Sequence, residues 1–389
     1  MRLRHPESQE EIERVCRLTT QFLGSGDREE LFAFMMLAFA ECPFLTPESC
    51  FILDVDGEIA ASGQMLSLPM QVGGAVVQAA GLQAFVVDPG FRNRDLIKRM
   101  FEEGRGEVLR RGSDVSLGFG HSRYYDRMGA TPIVADTEVE VRVRDVRGDR
   151  PEGFREMDDG EVDLLLDHYA ASNVGRTGVI RRSPEYWKWQ YRKPPSVRIR
   201  DDGYVGYEVR EDQVSVLEIG GEGPGFYRDA LMEVATLARE ENLEVIRAQV
   251  PPDHPFVGSV VFFGAQVQTR YHRSGWCMGE VLNVESFLGK IEGELDSRLR
   301  VTLPTAPRVR LVVQVDDEEV EVTLPGEGGG DRVVDLPLPR KLFTQLVFGY
   351  KDLDTVLAEA GIRRDAESRR LLNALFPKGH PYIWKADRF

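Results

Sequence analysis

The sequence predicts an α+β protein in which two mixed sheets of similar design precede a smaller α+β unit. Apolar, partly alternating runs separated by Asp-Gly and Gly-Gly turn signals predict an antiparallel meander over residues 50–88. A helical pattern and the strand DVSLGFG follow the meander. This order predicts a strand–helix–strand crossover inside an otherwise antiparallel sheet. A similar order of patterns returns beyond residue 155.

The first unit opens with two predicted helices, and Asp27 is placed to cap the second of them. In chain order its elements are predicted as helices over residues 8–23 and 28–41, the meander, a helix from about Asp95 to Arg111, a strand over 114–120, a short segment over 121–130 and a strand pair near 131–144.

The charged, Gly- and Pro-rich stretch at residues 144–154 predicts a linker, after which the pattern restarts. Strands, the loop GGEGPG, a helix and a further strand lead to a second Gly-Ala pair at Gly264. The separation of Gly264 from Ile219 is similar to that of Gly129 from Val87. This spacing predicts an internal duplication.

The third unit begins near Leu282 with a helical pattern and a hairpin. A Gly-rich loop and three further helical patterns follow. The last residues, FPKGHPYIWKADRF, are too aromatic for a solvated end, so we expect this tail to be buried.

The composition narrows the function. The 389 residues carry a formal net charge of −15, which argues against nonspecific nucleic-acid binding because such binding needs a basic face. No apolar run approaches the ~20 residues of a membrane-spanning helix, and the charged N-terminal sequence lacks the apolar stretch of a signal peptide. Four cysteines without a CxxC pair and six histidines without metal-ligand spacing predict a metal-free protein of the reducing cytoplasm.

The stretch FVVDPGFRNRDLIKRM places arginines in a tight loop between a strand and the start of a helix. Amide groups at a helix N-terminus carry partial positive charge, and a loop that curls them around an oxygen cluster makes a cradle for a pyrophosphate. Arg92 and Arg94 would add positive charge to that cradle. The same arginines also fit a solvent-exposed helix start, so the pattern alone leaves both interpretations open.

Two further features offer groups that transfer protons. Tyr125 stands four residues before Gly129, and a tyrosine hydroxyl with a pKa near ~10 can protonate a departing thiolate. Phe389 presents an α-carboxylate, which could accept a proton from an ammonium group if the tail is anchored. Each feature also has a structural interpretation, as a tyrosine packed under a turn and as a mobile tail.

Together these features resemble the GNAT superfamily of acetyltransferases. VVDPGFRNRDLIKRM is similar to the family's strand–loop–helix for acetyl-CoA, and YYDRMGA is similar to its Tyr-x-x-x-Gly helix start. Over essentially the full length, the order of the units resembles the Eis-type acetyltransferases ("enhanced intracellular survival"), with SGWCMGEVLN, LFTQLVFGY and LFPKGHPYIWKADRF carrying the later part. This resemblance implies tandem GNAT-like domains at residues 1–145 and 151–285, the second degenerate, and a sterol-carrier-protein-like domain at 286–389.

The resemblance implies acetyl-CoA as the co-substrate, no metal, and direct attack by a primary amine of a small molecule or peptide. Tyr125 would be the general acid toward the CoA thiolate, and the α-carboxylate of Phe389 would assist as the base. Strand main-chain groups would meet the pantetheine arm and the acetyl carbonyl, and loop amides would hold the pyrophosphate. The implied cofactor-binding residues are Phe85, Val86, Val87, Arg92, Asn93, Arg94, Asp95, Leu96 and Ile97. The resemblance also implies a homo-oligomer such as a hexamer, without nucleic-acid or membrane partners.

The loop departs from the family pattern at Asp95, where the family usually has Gly after Arg-x-x. A carboxylate there repels a pyrophosphate, and as an N-cap it could occupy the amides that the phosphate needs. Two outcomes stay open: Asp95 points outward and only weakens binding, or the site has decayed. The second unit lacks the arginines and has Val260 four residues before Gly264, so we expect it to be a structural copy that shapes the substrate cleft.

These features leave three functions to be distinguished. The first is an N-acetyltransferase acting on a primary amine. The second is a catalytically decayed GNAT-like protein that acts as a CoA- or lipid-binding module. The third, an aminoacyl transferase that uses charged tRNA, conflicts with the acidic charge of the chain. Asp387 and Arg388, beside the terminal carboxylate, could line an acidic pocket for amines.

Overall fold

The computed structural model of the chain describes residues 1–23, 27–91, 95–120, 129–191, 196–272 and 276–388. Over these ranges, helices pack on two seven-stranded mixed sheets and one three-stranded mixed sheet. The prediction of an α+β protein with mixed sheets is confirmed. Within the same ranges no helix is long and apolar enough to cross a membrane.

The first unit contains the predicted helices, meander and crossover. In chain order its elements are β1 (Arg2–Arg4), α1 (Gln9–Leu23), α2 (Arg28–Glu41), β2 (Cys50–Val55), β3 (Glu58–Val72), β4 (Ala75–Val87), α3 (Leu96–Arg110), β5 (Val115–Phe119), β6 (Thr131–Pro132) and β7 (Asp136–Arg142). Asp27 caps α2 as predicted, because its carboxylate accepts hydrogen bonds from the amides of Glu29 and Glu30.

The second unit repeats this alternation of strands and helices. In chain order its elements are β8 (Arg155–Glu156), α4 (Val162–Ser172), α5 (Pro184–Tyr191), β9 (Ser196–Arg200), β10 (Gly203–Val209), β11 (Val214–Gly221), α6 (Gly223–Glu240), β12 (Val245–Gln249), α7 (Pro255–Val261), β13 (Ala265–Arg270) and β14 (Cys277–Val281). The predicted loop GGEGPG is mostly absorbed into regular structure, because β11 runs to Gly221 and α6 begins at Gly223.

The third unit is a small sheet with helices. Its elements are α8 (Val284–Thr302), β15 (Arg308–Val315), β16 (Glu318–Leu324), β17 (Asp331–Leu338), α9 (Arg340–Val347), α10 (Leu353–Glu359), α11 (Ala366–Leu375) and a final single turn (Lys385–Asp387). The predicted hairpin is β15 and β16, and β17 adds a parallel edge strand that the sequence analysis did not predict.

The two large sheets share one arrangement. In the first sheet β4 lies between antiparallel β3 and parallel β5, and in the second sheet β11 lies between antiparallel β10 and parallel β12. The register of each antiparallel pair shifts once, between Ser62 and Gln64 in the first sheet and between Gly206 and Tyr207 in the second. This repetition is what the predicted internal duplication requires.

The two sheets exchange a strand. β7 pairs with β12 and β13 of the second sheet, and β14 pairs with β5 and β6 of the first. The predicted limits at residues 145 and 285 therefore do not coincide with the limits of the sheets. The alternation of β7 shows that the strand has a buried face, here Val139 and Val141, but it does not show which sheet supplies the neighbouring strands.

The two largest apolar cores connect the units of the molecule. One core joins the first sheet to α8 and the third unit, and the other lies between the second sheet and the helices that pack on it. The expectation of a buried tail is confirmed for Phe376, Tyr382 and Trp384, each of which is at most 2% exposed. Tyr382 and Trp384 belong to the core of the second sheet, so the tail crosses from the third unit to the second. Phe389 lies outside the described residues.

Candidate active site

The strongest candidate for a binding cleft is the place where β4 and β5 separate. The two strands pair in parallel over four residue pairs, of which the last is Leu82 with Gly118. Within the described residues β4 then continues to Val87 paired only with β3, on its other side. A strand with an unpaired edge leaves main-chain groups available to a ligand. The predicted strand residues Phe85, Val86 and Val87 all lie in this part of β4.

A β-bulge turns β4 at the mouth of the cleft. Ala84 adopts a left-handed φ of 54° where the register of β4 shifts against β3. The ring of Phe85 stacks on that of Phe101 in α3, with ring centroids 4.0 Å apart and planes 15° from parallel. Gly63 permits this packing, because a Cβ atom at that position would lie 2.6 Å from Cε1 of Phe85.

α3 begins beside the cleft, and no side chain in the described ranges caps its N-terminus. Asp95 is the N-cap residue, with φ 49° and ψ 27°, and its exposed side chain accepts no capping hydrogen bond. Leu96 and Met100 are buried and fix the helix to the sheet, whereas Ile97 is half-buried. The first-turn amides therefore keep their partial positive charge. Of the two outcomes considered for Asp95, the structure favours the one in which the carboxylate leaves these amides free.

Three of the predicted loop residues, Arg92, Asn93 and Arg94, lie outside the described residues, and so does Tyr125. The nearest described elements on either side are β5, which ends at Phe119, and the turn at Gly129. Gly129 has a φ of 91°, and a Cβ atom there would lie 3.0 Å from the Glu280 carboxylate. The last position of the Tyr-x-x-x-Gly pattern thus favours glycine for two reasons: its φ is positive, and a side chain there would crowd the Glu280 carboxylate.

Glu280 of β14 is a buried carboxylate beside this turn that the sequence analysis missed. It accepts a hydrogen bond from Nη2 of Arg105 at 2.7 Å, and Nε of Arg340 lies 3.9 Å away. Burial raises the pKa of the Glu280 carboxyl, and the two guanidinium groups oppose that shift. The sequence signal that could have revealed Glu280 was a single acidic residue in the otherwise apolar strand CMGEV.

The tail approaches the same cleft. The guanidinium carbon of Arg388 lies 4.7 Å from the ring centroid of Trp276. The Trp276 ring in turn meets the ring of Phe119 edge-on, with centroids 6.4 Å apart. Because Phe119 is the last residue of β5, these contacts bring the residue that precedes Phe389 to the end of the strand that borders the cleft.

Asp387 does not line an acidic pocket, so that expectation is wrong. The Asp387 side chain is completely buried, and its carboxylate is paired with the equally buried Arg182. A carboxylate is stable in the interior only when it is paired and hydrogen-bonded. No local pattern indicated this pair, because Arg182 lies in an irregular segment of the second unit.

The first part of the chain matches a known family. Residues 5–133 match the family described as the acetyltransferase (GNAT) domain. This domain contains β4, the bulge, α3 and β5. The chain therefore carries a GNAT acetyltransferase domain, and by class it is an acyl-CoA N-acyltransferase. No curated protein sequence matches the chain.

Several solved structures share the fold over the whole chain. A GCN5-related N-acetyltransferase from Kribbella flavida covers 100% of this chain and 98% of its own, with a TM-score of 0.74 and 18% identity. A conserved protein from Enterococcus faecalis V583, described as a probable N-acyltransferase, covers 100% and 99%, with a TM-score of 0.77 and 14% identity. Eis1 from Mycobacterium abscessus covers 100% of both chains, with a TM-score of 0.67 and 18% identity. At these identities the likeness shows a shared fold.

Proposed function

We propose that this protein transfers an acetyl group from acetyl-CoA to a primary amine by direct attack. The observation that supports this most directly is the opening between β4 and β5 beside the uncapped N-terminus of α3. An extended pantetheine arm can pair with the free edge of β4, and a pyrophosphate is attracted to helix amides. The described residues therefore fit acetyl-CoA, which supplies the activated acetyl group when bound.

The proposed cofactor-binding residues are Phe85, Val86 and Val87 in β4 and Arg92, Asn93, Arg94, Asp95, Leu96 and Ile97 at the loop and the start of α3. Main-chain groups of the β4 residues orient the pantetheine arm, and one amide polarises the acetyl carbonyl. The loop and helix amides hold the pyrophosphate, with added charge from the two arginines. The bulge at Ala84 supports the assignment, because it lies where β4 leaves β5.

The nitrogen of the incoming ammonium group must lose two protons, and the departing sulfur must gain one. The α-carboxylate of Phe389 takes the first proton from the ammonium group, directly or through water, and the free amine then forms the carbon–nitrogen bond. As the carbon–sulfur bond of the thioester breaks, the Tyr125 hydroxyl gives its proton to the sulfur, and the second proton that leaves the nitrogen restores the hydroxyl through solvent. The contacts from Arg388 through Trp276 to Phe119 support the role of the terminal carboxylate. Most of the rate gain then comes from proximity and from stabilised charge.

We also propose an Eis-type architecture. In this arrangement residues 1–145 and 151–285 are tandem GNAT-like domains that exchange β7 and β14, and residues 286–389 form a sterol-carrier-protein-like domain. The repeated order of β3-β4-β5 and β10-β11-β12 supports the tandem, and the full-length likeness to Eis1 from Mycobacterium abscessus supports the order of the units. The alternative of a decayed binding module gains no support from Asp95, whose side chain does not cap α3.

Calorimetry with acetyl-CoA tests the first step, because the proposal requires saturable binding. A single-turnover assay with polyamines, lysine-bearing peptides and aminoglycosides then tests transfer to an amine. Tyr125→Phe should lower kcat by about 100-fold without changing the affinity for acetyl-CoA, since only the proton donor is lost. Tyr124→Phe, which removes the same atom one position earlier, is the matched control.

Removal of Phe389 tests the base. We expect kcat to fall while acetyl-CoA binding is retained, because the last carboxylate moves by ~3.8 Å along the chain. Unchanged turnover in this variant would contradict the assignment of the base but not that of the acid. Acetyl-CoA binding without transfer to any of the amines would contradict the proposed reaction.

A further inference from the structure

The second large sheet contains a cleft of the same design as the first. β11 pairs in parallel with β12 over three residue pairs, of which the last is Val216 with Ala248. Beyond them Leu217 has no partner in the register with β10, and β11 continues to Gly221. Within the described residues this last part of β11 is not paired with β12. The second unit thus has a bulge and a strand separation where the first unit has its binding cleft.

The tail of the chain fills this second cleft. The Tyr382 hydroxyl donates a hydrogen bond of 2.6 Å to the carbonyl of Gln249 at the end of β12. The indole of Trp384 packs edge-on against Tyr382 and His254, at centroid distances of 5.1 and 5.7 Å. The final turn, Lys385–Asp387, then lies against β11. The tail therefore contacts both strands that border the opening.

Arg182 anchors the tail in the second cleft. Nε and Nη2 of Arg182 donate to the two carboxylate oxygens of Asp387 at 2.9 and 2.8 Å. Nη1 and Nη2 donate to the carboxylate of Glu218 in β11 at 3.0 and 2.6 Å. All three side chains are completely buried. The guanidinium carbon also lies 4.2 Å from the ring centroid of Tyr169 and 4.6 Å from that of Trp187, which further restricts its orientation.

The contacts of Arg182 with Asp387 and Glu218 restrict the position of all three side chains. Two-pronged contacts between guanidinium and carboxylate groups combine strength with a fixed geometry. In a buried site the loss of one partner leaves the other unpaired, and that state is strongly disfavoured. Displacement of the Asp387 carboxylate from the guanidinium of Arg182 is therefore strongly disfavoured.

Arg182 is tied to the first sheet as well. The segment before it, residues 178–181, forms main-chain hydrogen bonds with Pro69 and Gln71 at the end of β3. The amide of Tyr382 donates to the carbonyl of Thr177, directly before that segment, at 2.9 Å. One irregular segment thus carries the anchor and contacts β3 of the first sheet and the tail.

Asp387 stands two residues before the end of the sequence. Successive Cα atoms are ~3.8 Å apart, so the Cα of Phe389 cannot lie more than ~8 Å from that of Asp387. Between them, Arg388 packs on Trp276 at the end of β5. A fixed Asp387 therefore limits the positions that the terminal carboxylate can reach.

We propose that Arg182 is a positioning residue for the transfer reaction. By holding Asp387 in the second cleft, it directs the α-carboxylate of Phe389 toward the first cleft. The second unit, in this view, binds the tail of its own chain where the first unit binds its co-substrate. The catalytic consequence rests on the proposed function, but the anchoring does not, so the two can be tested separately.

The anchoring is tested by the release of the last residue. Carboxypeptidase A removes C-terminal aromatic residues, and it needs an extended, unanchored end. In Asp387→Asn the charged two-pronged contact is lost, because asparagine is neutral and only one of its two terminal atoms is an acceptor, so Phe389 should be released about 10-fold faster than in the wild type. Glu233→Gln is the matched control. It neutralises another buried carboxylate of the second unit, which is paired with Arg150 and is not a contact of Arg182 or Asp387, and it should release Phe389 at the wild-type rate.

A second variant and a kinetic measurement complete the test. Arg182→Lys keeps the charge, but an ammonium group cannot form two-pronged contacts with two carboxylates, so this variant should also release Phe389 faster. It provides the test if D387N does not fold. In both variants kcat, expressed per folded enzyme as counted by acetyl-CoA binding stoichiometry, should fall about 10-fold while KM for acetyl-CoA stays within about twofold. Counting the folded enzyme is necessary because a loss of folded protein alone would also lower the apparent kcat without changing KM.

The outcomes separate the two proposals. Equal release of Phe389 from the wild type and from folded D387N or R182K overturns the anchor, whatever the activity. Faster release with unchanged kcat supports the anchor and overturns its role in positioning. If removal of Phe389 also leaves kcat unchanged, the proposed base is wrong while the release data still decide the anchor.

Discussion

Asp95 occupies a backbone conformation that favours glycine. Its φ of 49° and ψ of 27° lie in the left-handed region, which asparagine and aspartate tolerate better than other residues with a side chain. Its carboxylate stays exposed and does not bond to the α3 amides. The remaining effect of Asp95 on an anionic ligand is therefore electrostatic, because a negative charge stands at the helix end that should attract one.

Asp95→Gly should bind acetyl-CoA about fivefold more tightly, because it removes this repulsion and keeps the backbone conformation. Isothermal titration calorimetry at low and high salt measures the change, and the gain should shrink as salt screens the charge. Asp56→Gly is a matched control, since Asp56 is also exposed and left-handed, with a φ of 55°, but lies in the β2–β3 turn. An affinity that does not change in D95G would show that the repulsion argument is wrong.

Several site residues could not be predicted from the sequence because their partners are distant along the chain. Arg182 meets Asp387 and Glu218 only after the second sheet and the tail have folded together. Trp276 reaches Phe119 only because β14 joins the first sheet. The motifs that the sequence did reveal are local, since a strand, its loop and the next helix are neighbours in the chain.

At the level of elements, the bulge in β4 depends on Gly63. The ring of Phe85 lies where a side chain of residue 63 would be, and it is held there by stacking on Phe101. The same ring packs against α3, so the bulge, the helix and the separation of β4 from β5 form one packed unit. A change that moves Phe85 should therefore alter both stability and the shape of the cleft.

Gly63→Ala should lower the free energy of unfolding by about 1–3 kcal/mol, because the new methyl group overlaps the Phe85 ring and forces it to move. It should also weaken acetyl-CoA binding, since the ring supports the mouth of the cleft. Urea denaturation and calorimetry measure the two effects. Gly106→Ala in α3 is the control, because a Cβ atom there would meet nothing within 4 Å and alanine favours a helix. If G63A is less stable than the wild type but binds acetyl-CoA with wild-type affinity, the bulge does not contribute to the binding site.

Local patterns predicted the elements that are marked by periodicity, by a capping residue or by turn signals, and failed where turn residues enter regular structure. The apolar residues of α2 are not confined to one face, so its signal was the Asp27 cap. α1, α2, α3 and the meander lie where they were predicted. β17 was missed because it follows a Gly-rich loop and contains Pro337. As an edge strand it can accommodate a proline, since one of its sides has no strand to receive an amide hydrogen bond.

Considered as a whole, the molecule is held together by the exchange of β7 and β14 and by the tail. Each large sheet needs a strand from the other unit, and the second sheet also needs aromatic side chains from the end of the chain. The pairing of distant strands carries no local signature, so the sequence predicted two units but not their interdependence. Acid conditions that disturb the packing of the tail should therefore destabilise the whole molecule.

His254 makes this packing sensitive to pH. Its ring is only 2% exposed and lies between Tyr227 and Trp384 of the tail, and Nδ1 accepts a hydrogen bond from the Phe256 amide at the start of α7. Burial lowers the pKa of His254 from 6.5 to about 3, and the charge of Arg176 adds to the shift. Between these two values the unfolded chain binds a proton that the folded chain does not. Folding stability is therefore lost progressively as the pH falls below 6.5.

One pKa unit corresponds to about 1.4 kcal/mol, so between pH 6.5 and pH 5 this group should remove about 2 kcal/mol from the free energy of unfolding. His254→Asn removes the titration and keeps a side-chain oxygen that can cap α7. We expect the variant to be less stable than the wild type at pH 7, because the ring contacts are lost, but to lose less stability on acidification. Urea denaturation at pH 7, 6 and 5 measures both slopes. Parallel slopes for the two proteins would show that His254 can take up a proton without disturbing the tail, and that the acid sensitivity of the fold arises elsewhere.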